Sequence, residues 1–367
     1  MKYLSRLNQV QRQLEHDRLD AAFITHLANI RYLCGFAGSS GVLSFCRGTW
    51  EFFTDGRYAE QARKQIKGAT IRVDALPPLA HASRSIASKL RRSRSASRIA
   101  IERDYVTLAM QTRISSELER ATPKSRYRMV QTAGIVERLR IRKDPEEIDH
   151  IRKAVDLASS VYPKALSSIK PQATENSVAA ELEYLARKSG AEKMSFDTIV
   201  ASGIRSALPH ARPSLARIGR GFVVLDYGVI LGGYCSDMTR TICVGRADRA
   251  MRDLYSAVLE AQLAGIAAVR SGVAAQQVDA AARNVLRSHK LDKYFIHSLG
   301  HGVGIEIHES PRLAKGEAQT LETGMVVTIE PGAYVPGKGG VRIEDMVLVT
   351  ETGCEVLTPT SKELVIR

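Results

Sequence analysis

Leu4, Leu7, Val10 and Leu14 recur at helical spacing, which predicts an amphipathic helix over residues 1–19. The apolar run at 20–25 is short and reads as a buried strand. Further strand-length runs at 41–45, 51–54, 71–74, 99–102 and 127–131 alternate with helical patterns at 57–66, 81–91 and 107–119. That alternation predicts an α/β domain. The pattern breaks near 131–141, so we divide the chain into a first domain, 1–132, and a second, 133–367. Asp144, Pro145, Glu146 and Glu147 supply the cap, the first-position proline and the acidic first turn of a helix start. The helical pattern then runs to about Ile169, and more helices are expected at 174–190, 250–271 and 275–289.

Two segments of the second domain carry strand-forming residues around glycine turns. Residues 224–241 predict a hairpin with its turn near Leu231 and Gly232, which sets Asp226 across from Asp237. Directly opposed residues hold their Cβ atoms roughly 5 Å apart, and two carboxylates so placed repel unless a cation lies between them. The plan returns in residues 326–349, where Glu330 and Glu344 face each other across a second hairpin. His301, flanked by Gly300 and Gly302, arrives between the two. Any one of these acids alone would ordinarily be a surface residue or a turn cap. Their apolar and glycine neighbours reverse that balance, and Asp226, Asp237, His301, Glu330 and Glu344 read together as a metal site. Four carboxylates around one divalent ion leave a charge of about minus two, whereas two ions with a bridging hydroxide bring it to about minus one. Two ions fit better. An oxygen-rich set with one nitrogen and no thiolate favours manganese, cobalt or iron over the sulfur-rich sites of structural zinc.

Composition narrows the partners. The formal charge of +14 invites a nucleic-acid reading, but the densest basic segment, 89–98, has no interleaved aromatic for base stacking. A solvated helix end accounts for it, and no nucleic-acid partner is expected. Cys34, Cys46, Cys235, Cys243 and Cys354 are odd in number, scattered and free of any Cys-x-x-Cys pair. They suggest neither a disulfide framework nor a zinc knuckle, and a cytoplasmic location is expected. Cys235, close to a ligand, reads as a small buried strand residue. No apolar run is long enough to span a bilayer and no secretory leader opens the chain, so no membrane partner is expected.

These segments, with Phe196-Asp197-Thr198-Ile199-Val200-Ala201-Ser202-Gly203 and Ser206-Ala207-Leu208-Pro209-His210 upstream, resemble the pita-bread metallopeptidase superfamily, which includes methionine aminopeptidase, aminopeptidase P, prolidase and creatinase. The resemblance implies that Asp226 chelates one metal, that His301 and Glu330 bind the other, and that Asp237 and Glu344 bridge both. It also implies an α+β pita-bread domain over about 136–367, with a curved, mostly antiparallel sheet covered by helices. The segments 29–36, 38–41 and 54–58 resemble the creatinase-type N-terminal α/β domain. By themselves they are a helix, a Gly-Ser turn and a turn with an Asp to Arg pair. That domain argues against methionine aminopeptidase, and the intact ligand set argues against creatinase. What remains implied is a homodimeric Xaa-Pro aminopeptidase acting on peptides with proline at the second position. Manganese is the metal expected, with cobalt, zinc or iron as alternatives. Xaa-Pro dipeptidase (prolidase) is the alternative activity, and a non-catalytic binding protein on the same fold is less supported, because no ligand is lost.

Two metals sharing bridging carboxylates hold a water and lower its pKa, which suits peptide hydrolysis by a bridging hydroxide. By resemblance Glu330 relays a proton to the leaving nitrogen. His210 and His308 stabilise the oxyanion and orient the substrate, His297 lines the proline-side pocket, and Tyr334 contacts the substrate. Each histidine taken alone reads equally as a hydrogen-bonded, partly buried side chain. His308 stands seven residues after His301, the wrong parity for one strand face unless a bulge intervenes. Arg342 shares a strand face with Glu344 and is either a partner of the metal carboxylates or a ligand for the substrate carboxylate. Ala211 and Tyr227 stand where many relatives carry smaller residues. The compact first domain and the lack of any further Arg in the pocket motifs besides Arg205 and Arg212 tilt the expectation towards the aminopeptidase, while those two keep the dipeptidase alternative open.

Overall fold

The computed structural model describes residues 2–91, 96–120, 123–170 and 172–367. Residues 92–95 of the basic segment therefore lie outside the described residues. The chain divides into two compact units, Met1–Arg140 and Ile141–Arg367.

The first unit is α/β. Its strands β1 (Ala21–Ile24), β2 (Val42–Cys46), β3 (Thr49–Thr54), β4 (Thr70–Val73), β5 (Ser97–Glu102) and β6 (Tyr127–Thr132) form one mixed sheet in the order β4-β3-β2-β1-β5-β6. Helices α1 (Tyr3–His16), α2 (Leu27–Cys34), α3 (Ala59–Gln65), α4 (Pro78–Leu90) and α5 (Leu108–Glu119) alternate with them. Leu7, Val10 and Leu14 bury the inner stripe of α1, while Phe23, Phe53, Ile86, Ile99 and Leu118 share a core. The unit closes on α6 (Glu137–Arg140) rather than at Thr132. Buried Asn29 explains the later boundary, because it donates to Glu137 Oε1 at 2.6 Å and accepts from Arg140 Nη1 at 2.8 Å.

The second unit opens on α7 (Pro145–Leu166). Asp144 Oδ1 accepts from Glu147 N and Glu147 Oε2 from Asp144 N, both at 3.0 Å, a reciprocal cap that fixes where the helix starts. After α8 (Glu175–Lys188) come β7 (Lys193–Met194), β8 (Ile199–Ser202), β9 (Gly221–Tyr227), β10 (Val229–Leu231), β11 (Tyr234–Cys235) and β12 (Met238–Val244). Helices α9 (Arg249–Ala268) and α10 (Ala275–Ser288) precede β13 (Gly300–Gly302), β14 (Glu309–Leu313), β15 (Val326–Ile329), β16 (Gly332–Val335), β17 (Gly339–Arg342), β18 (Asp345–Val349) and β19 (Cys354–Val356). All pairings between these strands are antiparallel.

One plan is used twice. Val161 of α7 and Leu182 of α8 pack with Val223, Leu225 and Ile242, and Val258 of α9 and Val278 of α10 pack with Val327, Ile329 and Val347. Each helix pair thus covers the outer face of its own strands. The halves meet where Glu344 N donates to Thr239 O at 3.1 Å, which joins the two sets of strands below the inner face. Among the described residues no helix is long and apolar enough to cross a membrane. All five cysteines are free, and Cys235 is buried in β11 as expected.

Candidate active site

Gly232 and Gly233 both take positive φ, +59° and +81°, the conformation a two-residue hairpin turn requires. One register runs from that turn: Leu231 faces Tyr234, Ile230 faces Cys235, Tyr227 faces Met238 and Asp226 faces Thr239. The turn lies one residue later than the sequence suggested, so every cross-strand partner moves by two. Asp237 therefore stands opposite Gly228 and is the diagonal, not the direct, neighbour of Asp226. A shift of two keeps each side chain on its own face, and both acids still line one cavity. The close approach here admits only glycine, since a Cβ on Gly228 would sit 1.8 Å from Ser236 O.

The second hairpin keeps the expected pairing. Ile329 faces Asp345 and Gly332 faces Arg342, so the same register sets Glu330 directly opposite Glu344. His301 comes from β13, where the pairing with β14 slips between His301, opposite Arg312, and Gly302, opposite Glu309. This bulge and the turn after it bring His308 back to His301, with ring centroids 4.4 Å apart. All five predicted ligands line a cavity of about 760 Å3, together with His210, His297, His308 and Arg342.

The donor set fits divalent cations. One ligand atom from each of Asp237, His301 and Glu344 falls within 4.8 Å of the others. His301 Nε2 lies 3.6 Å from Asp237 Oδ2 and 3.5 Å from Glu330 Oε1. Its Nδ1 meets Gly302 O at 3.0 Å, and because a carbonyl only accepts, Nδ1 carries the proton and Nε2 offers its lone pair to the cavity. Burial pushes His301 down to about 4, so the ring is neutral as a ligand must be. Burial, with the negative charge of neighbouring acids behind it, pushes Asp237 and Glu344 well above the usual carboxylate range and Glu330 up to about 8. Asp226 Oδ1 is buried without any hydrogen-bond partner among the described residues. Leaving such an oxygen unmatched is costly, and a cation is the partner that would relieve both the orphaned atom and the crowding.

Behind the acids lies a hydrogen-bonded chain. Arg342 is buried and donates Nη2 to Asp226 Oδ2, Nε to Thr239 Oγ1 at 3.1 Å, and Nη1 to Tyr334 OH at 2.6 Å and to Pro209 O at 3.1 Å. Of the two roles expected for Arg342, the geometry favours partner of the metal carboxylates, because four of its five N–H groups are engaged. Tyr334, expected from sequence to contact the substrate, is buried behind Arg342 and is not among the residues lining the cavity. Its hydroxyl accepts from Arg342 and donates to His297 Nε2 at 2.9 Å, while His297 Nδ1 donates to Ser298 O at 2.8 Å. His297 is held down to about 4 by burial and by the charge of Arg342. His210 is exposed at the cavity wall. Tyr227, one of the two departures, is fully buried on the face away from Asp226 and donates its hydroxyl to Ala158 O at 2.8 Å.

Several contributors were not foreseen. Thr239 Oγ1 donates to Glu344 Oε2 at 2.6 Å, and Thr328 Oγ1 accepts from His301 N at 3.1 Å and donates to Glu330 Oε1 at 3.3 Å. Each stands two residues from a ligand, so strand periodicity could have found both. Arg205 is occupied by Glu175, at 3.0 Å, and does not line the cavity. Arg212 does line it, as does Arg312, which carried no signal in sequence because only the cross-strand pairing brings it beside His301. Neither guanidinium has a side-chain partner among the described residues.

Residues 149–351 match metallopeptidase family M24, and residues 6–142 match the creatinase/prolidase N-terminal domain. A Xaa-Pro dipeptidase of Pyrococcus furiosus is 49% identical over 231 residues, 63% of this chain and 66% of that protein. Among solved structures, a Xaa-Pro dipeptidase from Bacillus anthracis superposes with a TM-score of 0.92 at 38% identity over 100% of both chains. An X-Pro aminopeptidase from Thermotoga maritima gives 0.88 at 33% identity, over 98% of this chain and 100% of that one.

Proposed function

The chain belongs to metallopeptidase family M24, with the two-domain pita-bread fold, and from that membership we propose that it hydrolyses the Xaa-Pro bond at the N-terminus of peptides with two divalent ions in its cavity. The observation that carries this reading is the convergence of Asp226, Asp237, His301, Glu330 and Glu344 on one cavity in which a buried Asp226 oxygen has no donor. In the proposed site Asp226, Asp237, His301, Glu330 and Glu344 would hold the ions. Bound there, divalent ions supply Lewis acidity for the scissile carbonyl and make a water acidic enough to act as nucleophile near neutral pH. Glu330 holds a proton and passes it to the leaving proline nitrogen. His210 and His308 donate to the carbonyl oxygen from the cavity wall as charge develops on it. Arg342 holds and orients Asp226, and Tyr334 and His297 keep Arg342 in place. Manganese suits the oxygen-rich set, and a cytoplasmic setting suits the five free thiols.

The substrate proposed first is a Xaa-Pro dipeptide, the alternative named from sequence. Arg312 supports it, because an unpartnered guanidinium on the strand beside His301 suits a carboxylate directly after proline. The aminopeptidase reading is supported by the volume of the cavity, about 760 Å3, which leaves room for a longer chain. With manganese present, a Xaa-Pro dipeptide is compared with a Xaa-Pro-Xaa tripeptide and its C-terminal amide. Preference for the dipeptide, lost in Arg312→Met, is expected. Equal cleavage of the amidated tripeptide would return the assignment to the aminopeptidase, and no cleavage of any Xaa-Pro substrate by manganese-loaded protein would remove both.

A further inference from the structure

Lys143, just before α7, and Glu309, at the start of β14, form an ion pair that leaves their side chains 1% and 6% exposed. Lys143 Nζ meets Glu309 Oε2 at 3.1 Å and donates to Ile141 O at 3.2 Å, while Lys143 N donates to Gly324 O at 2.8 Å. The ammonium is therefore held on a fixed piece of backbone. Glu309 Oε1 accepts from Glu306 N at 3.1 Å, and a Cβ on Gly304 would come within 2.6 Å of that same oxygen. The carboxylate thus fills the inside of the turn 303–308. On the other side of the turn Cys235 N, two residues before Asp237, donates to Gly304 O at 2.8 Å.

Stability does not explain such a pair. Desolvating two charges costs about as much as their attraction returns, and replacing both by neutral groups of similar size is often neutral or stabilising. Nor does charge in the cavity explain it, since Glu309 adds a carboxylate to a wall already holding five and Lys143 cancels it. What the pair does that an apolar contact would not is fix, in direction as well as distance, the turn whose last residue is His308.

We propose that Lys143 and Glu309 are positioning residues that brace the 303–308 turn and so aim His308 at the substrate, a role that rests on the peptidase reading above. Neither touches the scissile bond. If the brace acts through His308, removing it costs activity only while His308 is there to be misplaced. The test is a cycle between K143M/E309Q and His308→Asn, with kcat/KM for a Xaa-Pro dipeptide, bound manganese and circular dichroism measured on each protein. K143M/E309Q is expected to stay folded and metal-loaded and to lose about 10–100-fold in kcat/KM. The same two changes made on top of His308→Asn should cost less than about twofold. Losses that multiply in the two backgrounds, loss of metal in K143M/E309Q, or wild-type activity in it would each overturn the proposal. Should K143M/E309Q not fold, Glu309→Gln alone, which keeps an oxygen for Glu306 N, is carried through the same cycle. Should the wild-type protein cleave no Xaa-Pro peptide, the activity reading fails by itself, and the imidazole resonances of His308 then report on the brace. A shift in the double variant upholds it and an unmoved signal refutes it.

Discussion

Arg342 ties the site together at the level of single residues. It was visible in sequence as a cation on the face of Glu344, yet its bonds to Asp226, Thr239 and Tyr334 join the two hairpins, which no local pattern links. Burial, with the charge of Arg342 behind it, also sets the state of His297. Pushed from 6.5 to about 4, His297 stays neutral in the folded protein at pH values where the unfolded chain protonates it. The folded state then binds fewer protons, so this contribution to stability is full above 6.5 and is lost as pH falls towards 4. By pH 5 the loss amounts to about 2 kcal/mol. Gln at this position cannot titrate, so His297→Gln should lose less stability than wild type between pH 7 and pH 5. Urea midpoints of the metal-free proteins at the two pH values measure this, and equal losses would contradict a neutral His297.

At the scale of elements, most of the site was legible because β-structure has period two. Parity alone put Asp226 with Asp237 and Glu330 with Glu344 on inner faces, and it survived an error in the turn, since moving a hairpin turn by one residue shifts the pairing by two. The same rule would have reached Thr239 and Thr328. It failed at His308, where a bulge breaks the count, and at Arg312, whose place depends on a strand brought alongside from elsewhere in the chain. Helix boundaries were equally readable where a chemical marker stood, as at the Asp144 cap, whereas the long-range bonds of Asn29 that tie 137–140 to the first unit leave no local mark. Gly228 makes the hairpin testable. With Ser236 O only 1.8 Å from where a Cβ would be, Gly228→Ala must push the junction of β9 and β10 away from the segment that carries Ser236 and Asp237. A loss of more than about 3 kcal/mol is expected, with weakened manganese binding in any protein that still folds. Thermal melting and metal analysis check this, and a variant that melts with the wild type would mean that the approach relaxes freely.

For the whole molecule, a two-fold dimer is the assembly proposed, the commonest among homo-oligomers. Light scattering at micromolar concentration should return twice the 40.3 kDa of one chain, and a monomer would contradict it. The larger consequence of the architecture is that two sets of strands converge on a cluster of acids that cannot all ionise without a cation. In the metal-free protein Glu330 is raised from 4.5 to about 8, with Asp237 and Glu344 raised as well. A carboxyl raised on folding keeps a proton that the unfolded chain has released. Its stabilising share is therefore present below the ordinary carboxylate range and lost as pH climbs through the folded value. Above pH 6.5 the opposing contribution of His297 is already complete, so the acids act alone there. Chelated protein should melt lower at pH 8 than at pH 6.5, and manganese should raise the melting point most at pH 8, where the cluster is most fully charged. Glu344→Gln and Asp237→Asn should each abolish turnover yet flatten the pH dependence of the metal-free protein, because each removes one charge from the cluster. A metal-free wild type whose melting point is unchanged from pH 6.5 to 8 would show that the fold does not depend on cations to hold these acids together, and a Glu344→Gln protein that keeps near-wild-type turnover with metal verified would refute the ligand role proposed for Glu344.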